Sequence, residues 1–167
     1  AQQTRANQAI ASYGNGTLRL ANTSGGHLLV DVIGYITSAN APLASTGLFV
    51  PSTPARVWDT RTGTGTVRAP LAAGEHRDLA LGTTDLGSTA IAIAGNLTAT
   101  ESAAPGYVAL WPSSTGPRPD VSTINLDLAD QTRANHVTVP LGTAGHLSVF
   151  SDNGTHIILD VFGTYRR

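Results

Sequence analysis

Residues 146–163 read His146-Leu147-Ser148-Val149-Phe150-Ser151-Asp152-Asn153-Gly154-Thr155-His156-Ile157-Ile158-Leu159-Asp160-Val161-Phe162-Gly163. The first five alternate polar with apolar, the period of a strand with one wet face, and a turn-forming Asp-Asn-Gly separates them from a second, mostly apolar run. The same design stands near the start of the chain. Leu28-Leu29-Val30-Asp31-Val32-Ile33-Gly34 answers residues 157–163, His27 answers His156, Gly25 answers Gly154, and Gly16 and Leu18 answer Gly145 and Leu147, each 129 positions apart. Thr4-Arg5-Ala6-Asn7 returns as Thr132-Arg133-Ala134-Asn135 at an offset of 128, so one residue is inserted in between. A chain that echoes itself in this way holds parts of two copies of one unit, the signature of an array.

Outward from these runs the chain keeps the same rhythm. Gly, Thr, Ser, Asn and Pro interrupt short segments rich in Val, Ile, Leu, Thr and aromatic residues, which suit a pleated, half-buried surface. Strands are expected at 17–21, 27–35, 48–50, 55–59, 77–81, 90–99, 107–111, 122–128, 136–139, 146–150 and 155–164, and one weak helical turn at 69–74. The chain is therefore expected to be all-β, a jelly-roll-like β-sandwich built from similar hairpins. Weaker echoes among 67–100, 106–128 and 137–164 leave a pseudo-threefold, β-trefoil-like barrel as the alternative. Residues 1–37 read as the closing part of a preceding repeat, 38–46 as a linker of small residues and proline, and 47–167 as a complete β module. The apolar strand in 1–36 needs a sheet, so this part is expected to dock on its own module or to pair with another chain by strand exchange.

Composition narrows the chemistry. The 167 residues include no cysteine and no lysine; all ten basic residues are arginine. Thiol catalysis, zinc–thiolate sites and Lys–Asn isopeptide cross-links are excluded. The formal net charge is −1, with acids and arginines interspersed, so no basic track suits nucleic acid. No apolar run reaches the length of a membrane helix, and a secretion signal is expected upstream of Ala1. No cofactor or metal is expected: His27 and His156 lack a second histidine at ligand spacing and read as turn or edge residues.

Three groups of side chains stand out. Asp31 and Asp160 each interrupt an apolar run, and a carboxylate so placed must be paired. Arg5 and Arg133 recur in step with them, which suggests an Arg–Asp pair in each copy. Val57-Trp58-Asp59-Thr60-Arg61, followed by Gly63 and Gly65, delivers an aromatic, an acid and an arginine to one loop. Trp58, Asp59 and Arg61 are the groups a sugar site uses, an aromatic face for ring C–H groups and polar forks for hydroxyls. Equally, Trp58 can be core and Asp59 can hold Arg61 to shape the turn. Tyr107 and Trp111 lie four apart on one face of a strand, a platform of about 13 Å from strand rise. Such a platform is a carbohydrate shelf if wet and core if dry. Glycoside hydrolysis would need two carboxylates facing each other across a cleft. Asp59, Glu101, Asp120, Asp127 and Asp130 are available, but their spacing does not demand it.

Taken in order, several segments carry a likeness. Arg56-Val57-Trp58-Asp59-Thr60-Arg61, Gly95-Asn96-Leu97-Thr98, Gly106-Tyr107-Val108-Ala109-Leu110-Trp111-Pro112, Asn125-Leu126, Gln131-Thr132 with Ala134-Asn135, and Leu159-Asp160-Val161-Phe162-Gly163-Thr164-Tyr165 resemble the tandem accessory modules of many secreted actinobacterial proteins. The likeness covers 47–165 and again 3–35, and departs at Thr164, where the earlier copy has Tyr35. It implies an extracellular, non-catalytic module, often attached to hydrolases of polysaccharide or peptide. The expectation from residues and likeness together is carbohydrate binding, to substrate polysaccharide or cell-wall glycan, beside neighbouring repeats of the same protein. The alternative is a spacer or fibre repeat without a small ligand; a glycan hydrolase ranks third. Solvent-facing Trp58 or Trp111 favours binding, and burial of both favours the spacer.

Overall fold

The computed structural model describes residues 5–8, 15–23, 25–32, 34–35, 47–81, 89–113 and 116–167. Eight strands follow in order: β1 (Leu48–Asp59), β2 (His76–Ala80), β3 (Ala90–Thr100), β4 (Gly106–Pro112), β5 (Ile124–Leu126), β6 (Arg133–Pro140), β7 (His146–Ser151) and β8 (His156–Arg166). They form two four-stranded antiparallel sheets, ordered β1-β8-β3-β6 and β2-β7-β4-β5. The sheets stay separate and do not close into a barrel, so the chain is an all-β sandwich and the trefoil alternative falls. Successive strands alternate between the sheets except β4 and β5, which pair within one, and β7–β8 give each sheet one of its two central strands, the arrangement of a jelly roll.

Strand alternation turns one row of each sheet inward. Ile93, Leu97, Val137, Leu159 and Val161 meet Leu79, Val108, Leu147 and Val149 in one core, with Trp58 among them. Burying each such side chain contributes about 1.5–3 kcal/mol, against the entropy of ordering the strands. The β4 run Gly106–Pro112 and the β7 run His146–Ser151 sit where the alternation puts them.

Elsewhere the boundaries move for physical reasons. The two strands expected at 48–50 and 55–59 are one strand, because β1 keeps pairing with β8 across a register shift between Pro51 and Ala55. Prolines 51 and 54 interrupt the sequence pattern there, while the edge position of β1 tolerates their missing donors. The helical turn expected at 69–74 is absent; Leu71 bridges to Thr155, and the Gly74 N–H bonds the Ser151 carbonyl at 2.9 Å. The one helical element among the described residues is the 3₁₀ turn Thr143–Gly145. The strands expected at 17–21 and 27–35 carry no sheet ladder in their described residues beyond an isolated bridge at Thr17. The linker at 38–46 lies outside the described residues.

The repeated Thr-Arg-Ala-Asn acquires a role at the open side of the sandwich. Arg133 and Asn135 share the inward parity of Val137 and Val139 on β6, and reach across to the other sheet. Arg133 Nη2 donates to Asp127 Oδ2 at 2.5 Å, and Asn135 Nδ2 to the Thr123 carbonyl at 2.9 Å, clasping β6 to the β5 side. The earlier copy rests beside this clasp. Gln8 Nε2 donates to Thr138 Oγ1 at 3.1 Å, and Arg5 and Ala6 line an open cleft of about 280 Å³ with Asn125, Arg133 and Asn135. The pairing expected between Arg133 and Asp160 is therefore corrected. β3 separates β6 from β8, and Arg133 aligns with Ala99, which aligns with Ile157, three residues short of Asp160.

Candidate functional site

Asp59 ends β1 in a bulge. Arg56 faces Asp160 on β8 and Trp58 faces the next residue, Leu159, so Val57 is an extra residue in β1. A bulge bends and twists a strand, and here it buries four residues in succession, Val57 to Thr60. Trp58 enters the core with no exposed surface, and its indole N–H has no hydrogen-bond partner among the described residues.

The Asp59 carboxylate is buried and fully engaged. Its Oδ1 accepts the Arg61 backbone N–H and Nε–H, both at 3.0 Å; its Oδ2 accepts Arg61 Nη2 at 2.9 Å and Arg56 Nη1 at 3.2 Å. Its backbone carbonyl receives the N–H groups of Thr62, Gly63 and Thr64, which closes the loop. Arg56 also gives Asp160 a two-pronged fork, Nε to Oδ1 at 2.9 Å and Nη2 to Oδ2 at 3.1 Å. Arg61, Asp59, Arg56 and Asp160 thus form a charge-alternating string along the end of the first sheet. The Arg61 hydrogen bonds, foremost, hold the Asp59 carboxyl down to about 2 although burial pushes it up. Pairing with Asp160 and with Asp59, respectively, keeps Arg56 and Arg61 more firmly charged than usual.

Gly65 makes this loop possible. Its φ is +65°, and a Cβ there would stand 2.3 Å from the Val57 carbonyl oxygen. Gly65→Ala is expected to lower stability by about 2 kcal/mol, from a strained backbone plus a forced shift of β1. A urea midpoint unchanged from wild type would contradict the tightness of this turn.

Beside the loop, Thr60 Oγ1 lies 2.8 Å from His156 Nδ1, and His156 Nε2 lies 3.9 Å from Glu101 Oε2. The order hydroxyl, imidazole, carboxylate is that of an activated nucleophile. Thr60, however, is fully buried, and its oxygen already accepts the Ile157 N–H at 3.0 Å. The string ties β1 to β8. Of the carboxylates considered for hydrolysis, Asp59 and Asp127 are each taken by arginine. Among the described residues no group of three or more His, Asp or Glu is placed to hold a metal ion.

Tyr107 and Trp111 share the outer face of the second sheet, opposite the core-facing Val108 and Leu110. The face is roofed by the chain itself. Tyr107 packs on Phe150 with ring centres 5.6 Å apart, and the Arg118 guanidinium lies 3.9 Å from the centre of the Phe150 ring. Arg118 Nη1 also donates to the Tyr107 hydroxyl at 2.5 Å. Trp111 is only 8% exposed. It stands opposite Ser148, whose hydroxyl donates to Asp78 on β2.

The five sidechains singled out from sequence thus divide into two places. Trp58, Asp59 and Arg61 form a corner of the first sheet, where the tryptophan is core, the acid is buried and saturated, and Arg61 is partly exposed but spent on that acid; neither Trp58 nor Asp59 has surface to offer a sugar. Tyr107 and Trp111 lie on the second sheet. Arg56 and Arg118 complete these two groups and were not read as site residues. Arg56 carried a local signal, three positions before Asp59; Arg118 carried none, because the loop that returns it to β4 has no periodicity. No protein-family model and no curated protein matches the chain.

Proposed function

We propose that the chain is a non-catalytic, extracellular β-sandwich repeat that serves as a spacer, holding neighbouring parts of a larger secreted protein at a fixed separation. The observation that carries this reading is the burial of both tryptophans, with the adjoining Asp59 spent on Arg61 and Arg56. A ligand site needs convergent polar groups with open valences beside an accessible apolar surface. The string Thr60–His156–Glu101 likewise supports a structural role, since a hydroxyl without surface cannot meet a substrate.

One observation favours carbohydrate binding as the second reading. Tyr107, Phe150 and Arg118 form an outward aromatic and cationic group on a flat sheet face, and an arginine lifted from Phe150 would leave a ring for a sugar to stack on. A glycan array and pull-downs on insoluble polysaccharides, with wild type beside Tyr107→Ala and Arg118→Ala, separate the two. No retention on any polymer is the expected outcome. Retention that Tyr107→Ala abolishes, with the fold intact, would replace the spacer by a carbohydrate-binding module and locate its site.

A further inference from the structure

Residues 15–35 repeat in sequence the strand–turn–strand arch of 144–164, and the backbones agree at three described turn positions. Asn15 and Gly16 have φ of 53° and 71°, where Ala144 and Gly145 have 56° and 78°; Gly25 has 75° where Gly154 has 78°. These three left-handed positions coincide, while Gly26, with φ of 136°, has no counterpart at Thr155. What differs is the surroundings. In the later copy the arch supplies the middle of the sandwich: β7 is bonded on both sides by β2 and β4, and β8 on both sides by β1 and β3. Leu147, Val149, Ile157, Leu159 and Val161 are fully buried there.

Their counterparts Leu18, Leu20, Leu28, Val30 and Val32 are all exposed, Val32 to 84% where Val161 has no exposure. Leu29 is 90% exposed against 5% for Ile158. A row of apolar side chains on a backbone without a ladder is a template for strand pairing. Two strands alone are at best marginally stable in water. The repeat itself specifies the missing surface: the inner faces of β1, β2, β3 and β4.

We propose that residues 15–35 are the central arch of a second sandwich, completed by a polypeptide of this same repeat that carries the counterparts of β1 to β5. The arch inserts one strand into each sheet of that partner. Leu28, Val30 and Val32 enter its core, and Asp31 takes the arginine fork that Arg56 gives Asp160. The chain's own module does not supply this surface, because β7 and β8 already fill the corresponding places. The inference is independent of the spacer reading, since a carbohydrate-binding repeat would need the same completion.

The test uses the full chain and, as probe, the segment 47–128, supplied either fused ahead of Ala1 or as a separate polypeptide refolded with the chain. Amide hydrogen exchange across 28–35 is the readout. The chain alone should exchange there at unprotected rates, and the fused form should slow by on the order of 100-fold or more. Val30→Asp should abolish that protection while leaving exchange at 157–161 unchanged, because Val30 is exposed in the chain alone. Protection in the fusion only makes completion a property of one continuous polypeptide; protection in both arms extends it to separate chains. Absence of protection in both arms, with 157–161 still protected, would overturn the proposal. Protection of 28–35 in the chain alone that rises with concentration would also overturn it, naming a second intact copy as the partner.

Discussion

Trp58→Ala is expected to lose about 3–5 kcal/mol of stability, the range for truncating a large aromatic in a packed core. Trp58 has no exposed surface and stands at the bulge of the edge strand β1, packed into the core. The measurement is the urea midpoint followed by tryptophan-independent far-UV dichroism, since the substitution removes one of only two tryptophans. Trp58→Phe is the informative companion. It keeps an aromatic ring and removes an indole N–H that is buried without a partner, so it should cost less than half as much. A Trp58→Ala protein as stable as wild type would mean that the ring is not in the core, and would return it to consideration as a ligand platform.

Asp59→Ala is expected to cost about 3 kcal/mol, because two arginines and a backbone N–H lose their acceptor together. That is the lower end for breaking a buried pair, since both guanidinium groups are partly in water and screened. The same carboxylate makes stability depend on acid. Its folded pKa is held to about 2 from an ordinary 3.8, so its contribution is complete above the ordinary value and fades as pH falls toward 2. Wild type should therefore lose about 1 kcal/mol more than Asp59→Asn between pH 5 and pH 2.5, after allowance for screening. Parallel pH profiles for the two proteins would remove Asp59 from the account.

The legible part of this fold was the part in which one strand face meets the core and the other does not. The β4 and β7 segments alternate in the sequence because Val108, Leu110, Leu147 and Val149 point inward while Tyr107, Ser148 and Phe150 point out. The early part of β6 was missed because Arg133 and Asn135 occupy inward positions as polar side chains, held across the sheet edge by Asp127 and the Thr123 carbonyl, while Arg133 Nε and Asn135 Oδ1 are buried without a partner among the described residues. Hydrophobic period cannot register a polar clasp.

The candidate site was legible in proportion to how local its contacts are. Arg61 lies two residues from Asp59 and its bond to that acid could be anticipated. Arg56 and Asp160 are 104 residues apart, and only the register of β1 against β8 brings them together. The burial of Trp58 turns on a bulge at Val57, a one-residue event with no signature in residue type. Arg118 reached the shelf through a loop, where pattern is silent.

The strand order has a consequence in time. β8, the last strand of the chain, lies between β1 and β3, so neither sheet edge it joins has a neighbour on that side until the final residues arrive. Contacts this distant in sequence make folding slow, on the order of milliseconds to seconds for sandwiches of this kind. A sandwich emerging from its N-terminal side through a ribosome or a narrow channel would pass as an unlocked thread, and lock only when β8 was through. The closing strand is thus also the clock of this sandwich.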